Sequence, residues 1–164
     1  MLVECSEELP QPLTAAEMEW LRGCLGRLWE QEGLAGVCEG QLYLTTDEEM
    51  RELNRTHRGE DRTTDVLSFP LSEDGTPVDG YLGDVVVSVP QARRQSEGAE
   101  HALRVVEESG TGGWGVREEV FFLVVHGYLH LRGWDHAEPD EDLRMRSMEK
   151  LLYHRSVAIV PVES

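Results

Sequence analysis

Residues 117–136 read REEVFFLVVHGYLHLRGWDH, and this stretch decides the architecture built around it. Apolar residues from Val120 to Leu131 recur at the spacing of a helix, and their density indicates burial on most sides. The pattern predicts a helix from Arg117 to Leu131 that begins amphipathic and ends buried. The chain must turn back after this helix, and Gly133 stands at that point. Glycine suits such a turn because it adopts a positive φ without a steric penalty.

Three histidines within this stretch predict a metal site. His126 and His130 are four residues apart, so both imidazoles project from one face of the helix. The turn at Gly133 then brings His136 back as a third imidazole. Single histidines are usually surface or satisfied core residues, but this ordered set favours metal binding. Three neutral nitrogens leave a tetrahedral zinc ion one open position, which is typical of catalytic sites. We expect one zinc ion at these histidines.

The order H-x3-H-x2-G-x2-H is that of the metzincin peptidases, which carry a general-base Glu directly after the first histidine. In this chain that position is Gly127. Without the carboxylate, a peptidase lacks the group that deprotonates the attacking water and relays the proton to the leaving amine. We therefore expect a metzincin-like zinc helix without the peptidase machinery.

The rest of the chain predicts an α+β fold, a single domain over residues 1–164 with a small mixed four-stranded sheet packed with about five helices. Capping boxes at Thr14 and Thr46 open two of the helices. Asp140 is expected to cap the last helix. The predicted strands cover 1–5, 41–45, 65–69 and 82–89. The remaining predicted helices cover about 92–108 and 140–154, the latter with Leu143, Met148, Leu151 and Leu152 facing inward.

Composition limits the possible partners and location. The formal net charge of −17 disfavours a protein that coats itself in nucleic acid, and it predicts weak intrinsic affinity for RNA. Three cysteines without a CxxC pair indicate reduced thiols. No apolar run approaches the ~20 residues of a membrane-spanning helix, and the first residues lack the blocks of a signal peptide. We expect a cytoplasmic protein with no membrane partner.

Arginine is concentrated in one short stretch, although lysine is almost absent from the chain. One interpretation is a local phosphate-binding site inside an acidic protein. The other is that these arginines balance the acids beside them, and charge alone does not separate the two. The stretch contains Arg51, Arg55, Arg58 and Arg62, with Glu49, Glu52, Glu60 and Asp61 as neighbours.

Three blocks of sequence together resemble the YbeY family of bacterial single-strand-specific metallo-endoribonucleases, which act in rRNA maturation. HGYLHLRGWDH at 126–136 is similar to that family's HGxLHLxGxDH. LNRTHRGEDRTTDVLSFP at 53–70 is similar to its LN-x3-R stretch leading into TDVLSFP, and LGDVVVS at 82–88 matches the strand that follows. The blocks keep the family's order from about residue 42 to 150, whereas the first forty residues match only in length and pattern.

The resemblance implies a zinc-dependent endoribonuclease acting in 16S rRNA 3′-end maturation and ribosome quality control. Phosphodiester cleavage would be hydrolytic or assisted by the 2′-OH. The resemblance adds Arg58 to the three histidines as a catalytic and phosphate-binding residue, with Arg55 and Arg62 as further substrate-binding candidates. The implied partners are single-stranded RNA and the ribosome or a ribosomal protein, and not DNA.

Several alternatives remain open. Arg58 could instead hydrogen-bond the last carbonyls of its helix. Asp135 could orient a ligand histidine, accept a proton or simply cap the turn. Trp134 and Tyr128 are candidates for stacking on an unpaired base, although Tyr128 fits a core position as well. Rival functions are a metzincin-like zinc peptidase and a non-enzymatic ribosome assembly factor with structural zinc. A fourth protein ligand would favour the assembly factor.

Overall fold

The computed structural model describes residues 1–98 and 113–157, and within them the chain forms four strands and five helices. The elements follow the chain in the order β1 (Leu2–Cys5), α1 (Ala15–Gln31), β2 (Glu39–Thr45), α2 (Asp47–Arg58), β3 (Val66–Pro70), β4 (Tyr81–Ser88), α3 (Val89–Gly98), α4 (Val116–Leu131) and α5 (Pro139–Val157). None of these helices is long and apolar enough to cross a membrane.

The four strands form one mixed sheet in the order β1-β2-β4-β3. β1, β2 and β4 are parallel, and β3 pairs with β4 in the antiparallel sense. The register sets Leu42 beside Val85 and Val85 beside Ser68. The α+β class and the small mixed sheet expected from the sequence are confirmed.

The two faces of the sheet are covered differently. α4 packs against β3 and β4 on one face and contacts α1, α3 and α5 on its other sides. This position explains why α4 is apolar nearly all round. On the opposite face α2 covers a smaller cluster that consists of Met50, Leu67 and Val86. The stretch that carries the three histidines therefore lies on the better buried of the two faces.

The capping box predicted at Thr14 is confirmed, because the Thr14 side chain accepts from the Glu17 amide and the Glu17 side chain accepts from the Thr14 amide. At Thr46 only half of the predicted box forms. The Thr46 side chain caps α2 by accepting from the Glu49 amide, whereas the Glu49 carboxylate accepts from other side chains. α2 ends at Gly59, whose φ of 69° is left-handed. Such a residue satisfies the last carbonyls of a helix at no steric cost when it is glycine.

The last helix differs from the prediction at its start and in its buried face. α5 begins at Pro139, so Asp140 lies inside the first turn and does not cap it. Leu143 and Leu151, predicted to face inward, are 67% and 40% exposed. Leu152 is buried as predicted, and Met148 is partly buried against the core. The buried face of α5 also presents Met145, Glu149, Tyr153 and Ser156.

The helix predicted over 92–108 begins earlier than expected, at Val89, directly after β4 ends at Ser88. Pro90 therefore stands in the first turn, where its missing N–H has no intrahelical partner to lose. Residues 99–108 of that prediction lie outside the described residues.

Candidate metal centre

The structure brings together the three histidines that the spacing predicts. Ring centroids lie 4.8 Å apart for His126 and His130, 5.0 Å for His130 and His136, and 5.6 Å for His126 and His136. One nitrogen of each ring lies within 4.8 Å of the others. Across residues 1–98 and 113–157, no fourth His, Cys, Asp or Glu side chain joins this group.

The turn after α4 delivers the third histidine. Gly133 has a φ of 89°, and its amide donates to the His130 carbonyl at 3.0 Å. The Trp134 amide donates back to the Leu129 carbonyl at 3.0 Å. These bonds close the helix and reverse the chain, so that His136 faces the pair on α4.

A loop between β3 and β4 holds this turn from outside. The Arg132 guanidinium donates to the Gly75 carbonyl at 2.8 Å. A Cβ at Gly75 would lie 2.2 Å from the Arg132 carbonyl oxygen, and the φ of Gly75 is 81°. Only glycine fits such a close approach. The loop therefore fixes the position of the turn that carries His136.

The hydrogen bonds of two rings show which of their nitrogens are free. His130 Nδ1–H donates to the Trp134 carbonyl at 2.9 Å, since a carbonyl can only accept. His126 Nδ1 lies 2.6 Å from Glu149 Oε1, and a carboxylate oxygen accepts a hydrogen bond from Nδ1–H. In the neutral rings the lone pair is then on Nε2, and the two Nε2 atoms face each other at 3.2 Å. Two facing lone pairs are the donor chemistry of a bound cation, so the residues fit a metal ion.

His130 is held in the form that binds metals. Burial lowers its pKa, and the neighbouring imidazoles of His126 and His136 lower it further. A lower pKa keeps this imidazole neutral down to a lower pH. Because only the neutral ring offers a lone pair, the environment favours metal binding.

Gly127 is required by the packing of α4 on the sheet. A Cβ at this position would lie 2.7 Å from Val85 Cγ1 and 3.1 Å from Ser68 Oγ. The Ser68 hydroxyl also donates to the Gly127 carbonyl at 3.2 Å. A side chain at position 127, directly after the first histidine, would therefore enter the helix–sheet interface, where a glutamate does not fit.

The histidines line a cleft of about 620 Å³ that also contains Arg58. Arg58 lies at the C-terminal end of α2 and is exposed. Within residues 1–98 and 113–157 it forms no ion pair and no side-chain hydrogen bond, so the helix-end alternative is not realised there. Its guanidinium is available to an anion in the cleft.

The other arginines of the same stretch are paired and do not line this cleft. Arg51 donates to Asp61 at 2.8 Å, and Arg62 lies 2.8 Å from Glu60. Arg55 is bonded to Glu52 on the same helix. Arg55 and Arg62 therefore stand outside the group that the fold assembles around the histidines.

Three further side chains near the site have defined contacts. Asp135 accepts from the His136 amide at 2.7 Å, which is the turn-capping alternative. Tyr128 is fully buried and its hydroxyl donates to Glu32 at 2.9 Å, so it belongs to the core. Trp134 lines the cleft. Glu149 was not predicted from the sequence, although a Glu on an otherwise apolar helix face is a recognisable signal.

The fold and the site together define a class, an α+β protein with a three-histidine centre suited to a single metal ion. A profile of the Endoribonuclease YbeY family matches residues 7–156. Endoribonuclease YbeY of Shouchella clausii is 35% identical over 153 residues, which cover 87% of this chain and 87% of that protein. The protein of the same name from Halalkalibacterium halodurans is 38% identical over 143 residues, covering 81% and 82% of the two chains.

A solved structure shows the same fold. The solution structure of a Thermotoga maritima protein aligns with a TM-score of 0.58, 24% identity, and coverage of 99% of this chain and 100% of that chain. The chain described here belongs to the Endoribonuclease YbeY family.

Proposed function

We propose that residues 1–164 act as one zinc-dependent, single-strand-specific endoribonuclease domain. The observation that carries the proposal is the convergence of three histidine rings in one cleft beside Arg58, which pairs with no acid among the described residues. A cation site next to a free guanidinium is suited to a phosphodiester, whose oxygens are anionic. Membership of the Endoribonuclease YbeY family supports RNA as the substrate.

Zinc is the proposed ion, bound by His126, His130 and His136. Three imidazole nitrogens without a carboxylate or thiolate suit zinc better than magnesium or calcium, which prefer oxygen ligands. When bound, zinc supplies a Lewis acid that offsets negative charge on phosphoryl oxygens. The cleaved phosphodiester would be attacked by water or by the adjacent 2′-OH.

Arg58 is proposed to bind the phosphate next to the cleaved bond. Its planar guanidinium donates two parallel hydrogen bonds to phosphate oxygens and offsets the charge that develops during cleavage. Arg55 and Arg62 are proposed as outer contacts to the RNA backbone. Each must exchange its present partner, Glu52 or Glu60, for a phosphate, so we expect smaller contributions from both.

The depth of the site is the basis for proposing that the enzyme is specific for single strands. His126 and His130 are partly buried, and the cleft around them measures about 620 Å³. A phosphate can reach these rings only when its strand bends into the cleft. A base-paired backbone is held in the duplex, whereas an unpaired strand can be splayed out.

We propose that the chain works in the cytoplasm on 16S rRNA 3′-end maturation and ribosome quality control, brought to its substrate by the ribosome or a ribosomal protein. The net charge of −17 weakens binding to free RNA. A second pocket, on the opposite face of the sheet, is lined by Glu4, Glu52 and Asp84. The pocket is otherwise lined mainly by apolar side chains such as Leu53, Phe69 and Val86, and its carboxylates are complementary to a basic protein.

The test is cleavage of a single-stranded rRNA fragment and of the same fragment annealed into a duplex. Wild type, Arg58→Ala and a His126→Ala/His130→Ala double variant are compared with and without chelator. We expect cleavage by the wild type on the single strand and only without chelator, cleavage slowed about 100-fold in Arg58→Ala, and none by the double variant. Equal cleavage in all samples would reveal a contaminating nuclease. No cleavage by a zinc-loaded wild type would favour an assembly factor with structural zinc.

A zinc peptidase is disfavoured by the packing around Gly127. Its usual catalytic glutamate has no space between α4 and the sheet, because Val85 fills it. A casein-like substrate incubated with the purified chain provides the check. Proteolysis that disappears in His126→Ala would restore this alternative.

A further inference from the structure

Glu149 is a carboxylate on the inward face of α5, where apolar side chains are expected. The residue is 7% exposed and shares its helix face with Met145 and Leu152. Burying a charge is costly unless the charge is paired and hydrogen-bonded. A buried glutamate in this setting therefore calls for a specific partner.

That partner is the first histidine of the metal centre. The distance from Glu149 Oε1 to His126 Nδ1 is 2.6 Å. Within residues 1–98 and 113–157, no lysine or arginine forms an ion pair with this carboxylate. The contact crosses from α5 to α4, so the glutamate connects the last helix directly to the ligand set.

The contact determines which nitrogen of His126 is free. A carboxylate accepts a hydrogen bond from Nδ1–H, and the neutral ring then has its lone pair on Nε2. Nε2 is the atom that faces His130 Nε2 at 3.2 Å. In His130 the Trp134 carbonyl, which lies in the turn, accepts from Nδ1–H and likewise leaves the lone pair of the neutral ring on Nε2. The two rings on α4 are thus oriented by two different segments of the chain.

We propose that Glu149 is a positioning residue of the metal centre. It holds the His126 ring in the Nδ1–H tautomer and in the orientation that directs Nε2 at the metal ion, without being a ligand. Outer carboxylates of this kind also raise the basicity of the ligand, and their loss commonly weakens metal binding. The inference rests on the zinc site proposed above.

The chain contains a matched control for a buried carboxylate. Glu119 on α4 is also fully buried, and it accepts from the Trp114 indole N–H at 2.7 Å. Glu119 lies nearly two turns before His126 on the same helix. Glu119→Gln therefore reports the general effect of removing a buried charge, and Glu149→Gln reports the additional effect on the metal centre.

The first measurement is zinc affinity of the full chain, by competition with a chromophoric chelator. In Glu149→Gln the amide NH2 can donate to Nδ1, which favours the Nε2–H tautomer and blocks the ligand atom. We expect Glu149→Gln and Glu149→Ala to weaken zinc binding by roughly 10–100-fold. Glu119→Gln should stay within about twofold of the wild type, because it touches no ligand.

The second measurement is the nitrogen NMR spectrum of the histidine rings in the metal-free chain. We expect His126 in the Nδ1–H tautomer in the wild type and in Glu119→Gln. The Nε2–H tautomer should appear in Glu149→Gln. A purely structural role for Glu149 would not change this signal. The wild-type spectrum alone also tests the inference if Glu149→Gln fails to fold.

The outcomes separate the two proposals. A wild type that binds no zinc would overturn the zinc site and the inference with it. A wild type that binds zinc, with Glu149→Gln within twofold of it or no weaker than Glu119→Gln, would overturn the role of Glu149 alone. The Nε2–H tautomer in the wild-type spectrum would overturn it as well.

Discussion

Two clusters of like residues, the histidines at the end of α4 and the arginines on and after α2, look comparable in the sequence but differ in the folded chain. The three histidines converge on one point with their ring nitrogens within 4.8 Å. The arginines separate instead, because Arg51, Arg55 and Arg62 each pair with a nearby acid. Only Arg58 lines the cleft beside the histidines.

The two clusters differ in how firmly the surrounding residues hold their side chains. α4 is buried on both sides of its histidines, so the helix has one orientation and the rings have one direction. The arginines are exposed on a helix rich in acids, and a long charged side chain finds the nearest opposite charge. Spacing therefore predicts a site reliably when burial fixes the side chains, and less reliably on a charged surface.

Removing one histidine should have the largest effect. We expect His126→Ala to weaken zinc binding by more than the roughly 10–100-fold loss typical of an outer partner, and to abolish RNA cleavage. Titration calorimetry with zinc measures the first effect. The control is His57→Ala, since His57 lies against Phe69 away from the cluster. Equal zinc affinity in both variants would mean that the three rings do not hold the ion.

Restoring the peptidase glutamate should damage the fold. Gly127→Glu places a charged side chain against Val85 and Ser68, so we expect a loss of about 3 kcal/mol or more in the free energy of unfolding. Urea unfolding is the measurement. Gly26→Glu is the matched control, because a Cβ at this exposed helical glycine meets nothing within 4 Å. A stable Gly127→Glu protein that hydrolyses casein would contradict the packing argument.

Substituting the arginines of the second cluster one at a time should lower RNA cleavage to different extents. We expect Arg58→Ala to lower kcat/KM on single-stranded RNA by about 100-fold, the size of losing one donor to transition-state charge, with zinc affinity unchanged. Arg55→Ala and Arg62→Ala should each cost about threefold or less, as paired surface residues do. Similar losses in all three variants would show that the cluster binds RNA as a unit.

The smallest effect is expected for the surface pair of Arg51 and Asp61. Their side chains are 58% and 60% exposed, so we expect a coupling energy below about 1 kcal/mol. A double-mutant cycle with Arg51→Ala and Asp61→Ala, followed by urea unfolding, measures it. Coupling of several kcal/mol would indicate that the arginine cluster is structural.

Much of the fold follows from local signals in the sequence. The caps at Thr14 and Thr46 and the stop at Gly59 depend on a few adjacent residues, and each is found where the pattern predicts it. The spacing of the histidines is also local, since eleven residues carry all three rings and the turn at Gly133. The caps and this spacing are visible without knowing how distant segments pack, although the loop at Gly75 holds the turn in place.

The remaining features depend on contacts between distant segments. Glu149 meets His126 across two helices, and apolarity alone assigned only part of the buried face of α5, since Leu152 is buried but Leu143 and Leu151 are exposed. The need for glycine at position 127 depends on the register that brings Val85 beneath α4. Neither the helix face nor the register is visible in a periodic pattern.

The most direct test of the central claim is the rate of single-stranded RNA cleavage while zinc is added back to the metal-free chain. The three-histidine centre predicts that the rate rises linearly up to one zinc ion per chain and then stays constant. The same titration of His126→Ala should give no rise. Full cleavage by the metal-free wild type, or an equal rise in His126→Ala, would contradict the account.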